Sequence, residues 1–310
     1  MIKSYMPEDR TYQLLVAQKA SALHELNNID SNWGHSEIIR SYLIELISKV
    51  DEMLVDFSLQ GKAEEITYDR KRDKYTCWAE VLRLALFQYE RFAVGGFALT
   101  EGLYASLLMS AAIWQGSHPQ KITILGCGPG RSVLDFSRLY PESEIIGLDY
   151  SLLSLLLAEK IVCGKDEVPL LRRDVLSPDY SEVIYVPGMN RKNVHFGVID
   201  LGKDKIPMSD MIVCSNVINL LPDHRGAIAR IYDSLREGGL VVFADLLGWR
   251  LDRTQAQKEL MSSKHIETLF AEAGFRRLEQ FDGVPYIESE SMDQYTFYKE
   301  HFYIGRKELC

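Results

Sequence analysis

The fold is decided by nine residues, ITILGCGPG at positions 122–130. The first four residues form a short, mostly apolar run, which predicts a strand. The glycines that follow predict a tight turn, because glycine adopts positive φ and lets the backbone approach a bound group closely. A helical pattern starts at Ser132, so free N–H groups at a helix N-terminus are expected beside the turn. Taken alone, Gly-x-Gly-x-Gly is a weak signal, since a strand–helix turn without a ligand has the same pattern.

The spacing to the next acidic residue strengthens the signal. Asp149 stands nineteen positions after Gly130, at the end of the apolar run at 144–148. In nucleotide-binding α/β folds an acid at this position accepts hydrogen bonds from ribose hydroxyls. The glycine turn and Asp149 together predict a nucleotide-type ligand at the switch point of a parallel sheet.

The rest of the C-terminal region alternates between strand and helix patterns, which predicts βαβ units. Further strands are expected at 194–199, 211–214 and 240–243, and helices at 132–139, 152–162 and 227–235. The aromatic tail after Phe275 fits closing antiparallel strands. The predicted fold class is therefore α/β, with a seven-stranded, doubly wound and mostly parallel sheet.

These motifs resemble the class I methyltransferase family, which uses S-adenosylmethionine (SAM). Its first motif corresponds to residues 125–130, its second to 147–151 and its fourth to 215–221, and the resemblance covers about residues 120–305. The resemblance implies SAM as cofactor. It places the following residues at the cofactor: Gly126, Cys127, Gly128, Gly130, Asp149, Tyr150, Asp200, Leu201 and Ser215.

The family's third motif is an acid near the adenine amino group, and two positions compete for it here. Asp174 is one, and Asp200 is preferred because the fourth strand begins soon after it. Residues 165–193 then form an insertion before the third strand. The sequence departs from the family at Leu125, where an acid often precedes the first glycine.

Residues 1–116 are expected to form a helical cap on a SAM-binding domain at 117–310. The period of Ile39, Leu43, Leu46 and Val50 predicts one amphipathic helix, closed near Gly61, and two more are expected at 78–94 and 99–114. The cap is rich in aromatic residues, and an ordinary helical core explains most of them. The candidates for a catalytic role are Tyr75 and Tyr89 in the cap and Ser215 and Asn216 after the fourth strand.

Composition narrows the class of partner. The chain carries 35 Lys and Arg against 44 Asp and Glu, a net charge of −9, which argues against nucleic-acid and anionic-membrane partners. The five cysteines form no CxxC pair, so reduced thiols in the cytoplasm and no metal site are expected. The polar N-terminus predicts no signal peptide. A helical lid favours a small-molecule substrate.

Methyl transfer to a small molecule is the favoured reaction, since it dominates the family. Two alternatives use SAM without methylation: transfer of its aminocarboxypropyl arm, or attack of its own amine to give azetidine-2-carboxylic acid and methylthioadenosine. In outline the chain resembles azetidine carboxylate synthases, with a helical lid and no obvious base. A third alternative is a non-catalytic SAM-binding partner protein.

Overall fold

The structure is a computed structural model that describes residues 2–29, 36–55, 81–82, 84–86, 88–89, 118–173, 181–246, 262–289 and 295–308. The helices are α1 (Glu8–Asn28), α2 (Ser36–Val55), α3 (Arg131–Leu139), α4 (Leu152–Ala158), α5 (His224–Asp233) and α6 (Ser263–Glu272). The strands are β1 (Lys3–Ser4), β2 (Lys121–Leu125), β3 (Glu144–Asp149), β4 (Val168–Arg173), β5 (Ser181–Val186), β6 (Val194–Val198), β7 (Ser209–Ser215), β8 (Leu235–Asp245), β9 (Phe275–Ser289) and β10 (Tyr295–Lys307).

The main sheet confirms the predicted fold class. Its strand order is β1-β6-β3-β2-β7-β8-β10-β9. All neighbours from β1 to β8 run parallel, and β10 and β9 close the sheet in antiparallel pairs. The chain moves outward from β2 in both directions, so the switch point lies at β2 and β7. The predicted glycine turn stands there.

The predicted number of strands was wrong, because the described residues place eight strands in the main sheet and not seven. The extra strand is β1, which pairs in parallel with β6 in a region predicted to be wholly helical. A strand of two residues is too short to show the alternation of apolar and polar residues, so no sequence pattern predicts β1. Gly197 on β6 is a local feature related to this pairing: a Cβ there would lie 2.3 Å from Cε2 of Tyr5, so glycine lets the N-terminal segment approach β6.

The insertion before the third strand of the main sheet is a separate hairpin. Strands β4 and β5 pair in an antiparallel, two-stranded sheet of their own. The predicted helix at 152–162 is present as α4, continued by a π-helical turn at Glu159–Cys163. Carbonyls of that turn accept hydrogen bonds from the chain returning from the hairpin, including Met189 N to Ile161 O at 2.7 Å.

The helices cover both faces of the sheet. On one face α1, α2 and α4 share a hydrophobic core with Ile124 and Val213, and on the other face α5 and α6 pack over Ile212 and Phe243. The amphipathic helix predicted from Ile39 is confirmed as α2. Residues 81–82, 84–86 and 88–89 are helical, in agreement with the second predicted helix. Gly61, the helix at 99–114 and the predicted boundary at 116 lie outside the described residues. Among the described helices, none is long and apolar enough to cross a bilayer.

Candidate functional site

The glycine turn is held tightly between neighbouring strand ends. Gly126 has φ +62°, and a Cβ there would lie 2.8 Å from Cβ of Val217, in the loop after β7. Gly130 has φ +93° and precedes α3, where no side chain caps the helix. Both positions therefore require glycine, because a larger residue would meet strain and a close neighbour. The N–H groups of Cys127, Gly128 and Gly130 donate to Leu148 O, to Asp149 and to Cys127 O, and Arg131 N donates to Gln88 Oε1. Free N–H groups at the start of α3 therefore stay a prediction.

Asp149 joins the glycine turn to the end of β3. Its carboxylate accepts hydrogen bonds from the backbone N–H groups of Gly128 and Ser151, each at 2.8 Å. Burial raises the pKa of this carboxyl, and the backbone N–H groups oppose the rise. Next to it, Tyr150 is 41% exposed. Asp149 is thus a preorganised acceptor, and a carboxylate has lone pairs left for two hydroxyls.

Three contacts tie the N-terminal helices to these loops. Gln18 of α1 donates to Tyr150 O at 2.8 Å and accepts from Leu152 N at 2.8 Å. The hydroxyl of Tyr89 donates to Pro129 O at 3.0 Å, inside the glycine turn. The N-terminal region therefore shapes the candidate site directly. Tyr89, a candidate for a catalytic role, is fully buried and supports the turn through this hydrogen bond. Tyr75 lies outside the described residues.

Asp200 stands directly after β6, where the third family motif is expected. Its carboxylate pairs with Arg10 of α1 at 2.9 Å and accepts from Gly202 N at 2.9 Å. Arg10 also pairs with the buried Asp204. Leu201 follows Asp200 and is buried. The structure thus places Asp200 after a strand of the main sheet, whereas Asp174 follows β4 of the hairpin and lies outside the described residues. The assignment of Asp200 to adenine stays a prediction.

A second group of polar side chains lies beyond Ser215, the last residue of β7. We call it the acid–amide cluster: Asn216, Asn219, Asp245 and Glu300. Asn216 has φ +51° and donates through Nδ2 to Oε1 of Glu300 at 2.5 Å. Asp245 ends β8 and accepts from the backbone N–H groups of Asn219 at 3.1 Å and Leu246 at 2.8 Å.

Burial changes the acidity of both carboxyls in this cluster. It raises the pKa of Glu300 to about 8, a rise that the Asn216 hydrogen bond opposes and Asp245 reinforces. Burial likewise raises the pKa of Asp245 to about 7, against the effect of the backbone N–H donors. Two groups that interact this closely titrate as a pair. Carboxyls poised near neutral pH are able to hold or release a proton at physiological pH.

Sequence reasoning located Asn216 but missed both acids of the cluster. Asp245 carries the same signal as Asp149, an acid ending an apolar strand, in VVFAD at 241–245. Glu300 stands among aromatic residues in TFYKEHFY, a charge inside a buried strand. Arg10 and Gln18 carry no local signal, because they act through long-range contacts. Within the described ranges, no group of three or more His, Cys, Asp and Glu side chains is arranged to hold a metal ion.

Among known proteins, similarity was found only to solved structures. No protein-family model matches the sequence, and no curated protein matches it. The solved structures similar to this chain include methyltransferases, as the motifs predict. One is the N-methyltransferase NodS from Bradyrhizobium japonicum in complex with S-adenosyl-L-homocysteine. It is 16% identical, covers 73% of this chain and 98% of its own, and has a TM-score of 0.46.

Two further structures show the same degree of similarity. TehB from Haemophilus influenzae is 14% identical and covers 71% of this chain and 67% of its own, with a TM-score of 0.46. The [4+2]-cyclase SpnF is 13% identical and covers 67% of this chain and 81% of its own, also with a TM-score of 0.46. Since these identities and scores are low, we base the functional inference on the strand order and the site residues.

Proposed function

We propose that this chain is a SAM-dependent enzyme that transfers a methyl group to a small-molecule acceptor. The observation that carries the proposal is Asp149, which ends β3 and accepts a hydrogen bond from Gly128 N at 2.8 Å. A carboxylate held against a glycine turn at the switch point suits a ribose, and the N-terminus of α3 suits a carboxylate at the other end of the cofactor.

The space at the glycine turn supports a bound cofactor there. Gly128 has open space apart from the Gln88 side chain, whose Nε2 would lie 3.4 Å from a Cβ. Asp149 would bind the ribose hydroxyls, and Asp200 and Leu201 would lie at the adenine. Ser215 and Asn216 would lie beside the sulfonium. SAM supplies an electrophilic methyl group on a sulfonium, and the protein's own contribution is to align a nucleophile with it.

The N-terminal helices support a small acceptor over a macromolecular one. Gln18 hydrogen-bonds the loop after β3 at 2.8 Å, and Tyr89 hydrogen-bonds the glycine turn itself at 3.0 Å. Helices that close over these loops would exclude water from the site and favour a small metabolite. The net charge of −9 agrees with an acceptor that is not a nucleic acid.

The test is to incubate the pure protein with SAM and to follow the products by mass spectrometry, beside a control without protein. We expect S-adenosylhomocysteine to form only when a metabolite extract is added. Methylthioadenosine from SAM alone would replace methyl transfer by attack on SAM's own γ-carbon. Intact SAM under every condition, with binding shown by calorimetry, would contradict an enzyme and favour a SAM-binding partner protein.

A further inference from the structure

The acid–amide cluster adjoins the glycine turn. Asn216 N donates to Ala244 O at 2.9 Å, and Ala244 precedes Asp245 at the end of β8. On the next strand His301 is the register partner of Asp245, so Glu300 stands at the same edge. Val217, the neighbour of Asn216, packs against Gly126. The cluster therefore borders the place where the proposed function puts the reacting end of SAM.

Several buried acceptors in the cluster have no hydrogen-bond donor among the described residues. Glu300 is 1% exposed, and only one of its two carboxylate oxygens has a partner. Two buried atoms without a partner among the described residues are Oε2 of Glu300 and Oδ1 of Asn216, whose side chains are hydrogen-bonded to each other. A third is Oδ1 of the fully buried Asn219, whose backbone N–H donates to Asp245. All three are acceptors when Glu300 is ionised. A buried polar atom without a partner is costly, so this set indicates a missing donor.

His301, the next residue of β10, is not part of this group. Successive side chains of a strand point to opposite faces of the sheet, and His301 lies on the face of Phe243. Its Nδ1 lies 2.6 Å from Oδ1 of Asp282. The side chain that contacts Glu300 is Asn216, which donates through Nδ2 and keeps an Oδ1 without a partner in the described part of the chain.

The charge of the two carboxyls favours the same kind of ligand. In the part of the chain that the structure describes, no cationic side chain acts on Asp245 or Glu300, and each carboxyl, when ionised, favours a bound cation. An ammonium group both donates several hydrogen bonds and carries positive charge. An alcohol supplies one donor and no charge, and a carboxylate supplies neither.

We infer that the acid–amide cluster binds an amine and that Glu300 accepts a proton from it. The inference rests on the proposed function for the reaction that follows, but the amine site itself does not depend on it. An ammonium R–NH3⁺ would first favour the ionised form of Glu300, as an opposite charge does, and would then lose one proton to that carboxylate, giving R–NH2 and the neutral acid. Asn216 Oδ1 would hold the remaining N–H groups and orient the nitrogen lone pair.

The nitrogen then has the lone pair that substitution requires. The lone pair forms the new N–C bond, and the S–C bond breaks with its electron pair on sulfur. With a separate amine the carbon is the methyl group and the products are R–NH2–CH3⁺ and S-adenosylhomocysteine. With SAM's own amine the carbon is Cγ, and the products are the azetidine ring and methylthioadenosine. Glu300 accepts the same proton whether the amine is external or SAM's own, and the second test below distinguishes the two sources.

The first test follows the Glu300 carboxyl itself. Protein labelled with ¹³C at glutamate carboxyls is titrated by NMR with methylammonium or tetramethylammonium chloride at equal ionic strength. Glu300→Gln identifies the resonance, and Glu279→Gln, on β9, is the matched control. We expect methylammonium to lower the pKa of Glu300 by about one unit, as an opposite charge does, and tetramethylammonium to leave it unchanged. Equal behaviour with both cations would overturn the amine site.

The groups that act on Glu300 are the amide of Asn216 and the carboxyl of Asp245. His301 and its partner Asp282 lie on the opposite face of the sheet, so Asp282→Asn serves as a second control. The methylammonium effect on the Glu300 carboxyl should persist in Asp282→Asn, and its loss in that variant would overturn the amine site at Glu300.

The second test separates the sources of the amine. SAM is supplied alone, with the cation-exchange fraction of a metabolite extract, or with the same fraction after acetylation of its amines. Methylthioadenosine from SAM alone identifies SAM's own amine, and S-adenosylhomocysteine that acetylation abolishes identifies an external amine. Product that survives acetylation overturns the inference. In either supporting case Glu300→Gln is expected to lose about 100-fold or more in turnover, as a general base would. Affinity for SAM should stay unchanged if the amine is external and should fall if the amine is SAM's own.

The two proposals fail separately. If calorimetry detects no SAM binding, the proposed function is wrong, while the methylammonium titration still decides the amine site. If SAM binds and methylammonium has no effect on the Glu300 carboxyl, the amine site is wrong and the SAM assignment stands. A crystal structure with a water molecule at Oε2 of Glu300, unchanged by methylammonium, would also overturn the inference.

Discussion

Asp149 and Glu300 are carboxyl groups on the same edge of one sheet, and the chain surrounds them differently. Both have a pKa raised by burial. Asp149 is held by backbone N–H groups of the two loops it joins, at 2.8 Å each. Glu300 is held by one side-chain amide and keeps an oxygen without a partner among the described residues.

At Asp149 the protein supplies the hydrogen-bond donors itself, whereas at Glu300 a donor is missing among the described residues. Backbone donors are fixed by the fold, so the Asp149 side is preorganised before any ligand arrives. Side-chain amides are adaptable, and the Glu300 side has more acceptors than donors. We therefore assign the Asp149 side to the cofactor, whose shape is constant, and the Glu300 side to the reacting amine.

The largest expected effect is on the Asp149 side. Replacing Asp149 by Ala removes two charge-assisted hydrogen bonds to the ribose, so we expect SAM affinity to fall on the order of 100-fold, or about 2.7 kcal/mol. Calorimetry measures it. The control is Asp210→Ala, because Asp210 also accepts two backbone N–H groups, but from residues 120 and 121 at the opposite edge of the sheet. Asp149→Ala with unchanged affinity would sink the cofactor assignment.

A smaller effect is expected at the link from α1 to the loop after β6. Arg10→Met leaves Asp204, whose side chain is 1% exposed, without its cation. An unpaired buried carboxylate is destabilising, so we expect a loss of about 2 kcal/mol in unfolding free energy. Urea denaturation measures it. Arg225→Met, which breaks an exposed pair with Glu272, should cost no more than about 0.5 kcal/mol. Equal losses in the two variants would show that Arg10 is an ordinary surface charge.

The smallest effect concerns stability against pH on the Glu300 side. Between the usual glutamate pKa of 4.5 and about 8, folded Glu300 holds a proton that the unfolded chain has released. Stability therefore falls as pH rises through this interval and levels off above it. Glu300→Gln removes this term, so its stability relative to the wild type should improve by about 1 kcal/mol or more from pH 5 to pH 8. Parallel urea curves at both pH values would contradict the burial of an ionisable Glu300.

Much of the cofactor half could be predicted from local sequence. The glycine turn, Asp149 and the positions of the neighbouring strands follow from short patterns, because a strand, a turn and a helix N-terminus each depend on adjacent residues. An insertion at 165–193 follows from the preference for Asp200, and the hairpin of β4 and β5 lies within that range. The eighth strand was not, because two residues have no measurable period and depend on β6 for their hydrogen bonds.

The amino-acid sequence by itself determined the fold class, the position of the glycine turn and the acid that faces it. Tertiary structure alone decided which distant side chains meet. Arg10 reaches Asp200 across 190 positions of the chain, and Asn216 reaches Glu300 across 84. Such contacts depend on strand order and register, and a burial-dependent pKa exists only once the surrounding core has formed. For that reason Glu300 resembles an ordinary charge in the sequence and becomes a candidate proton acceptor only in the folded sheet.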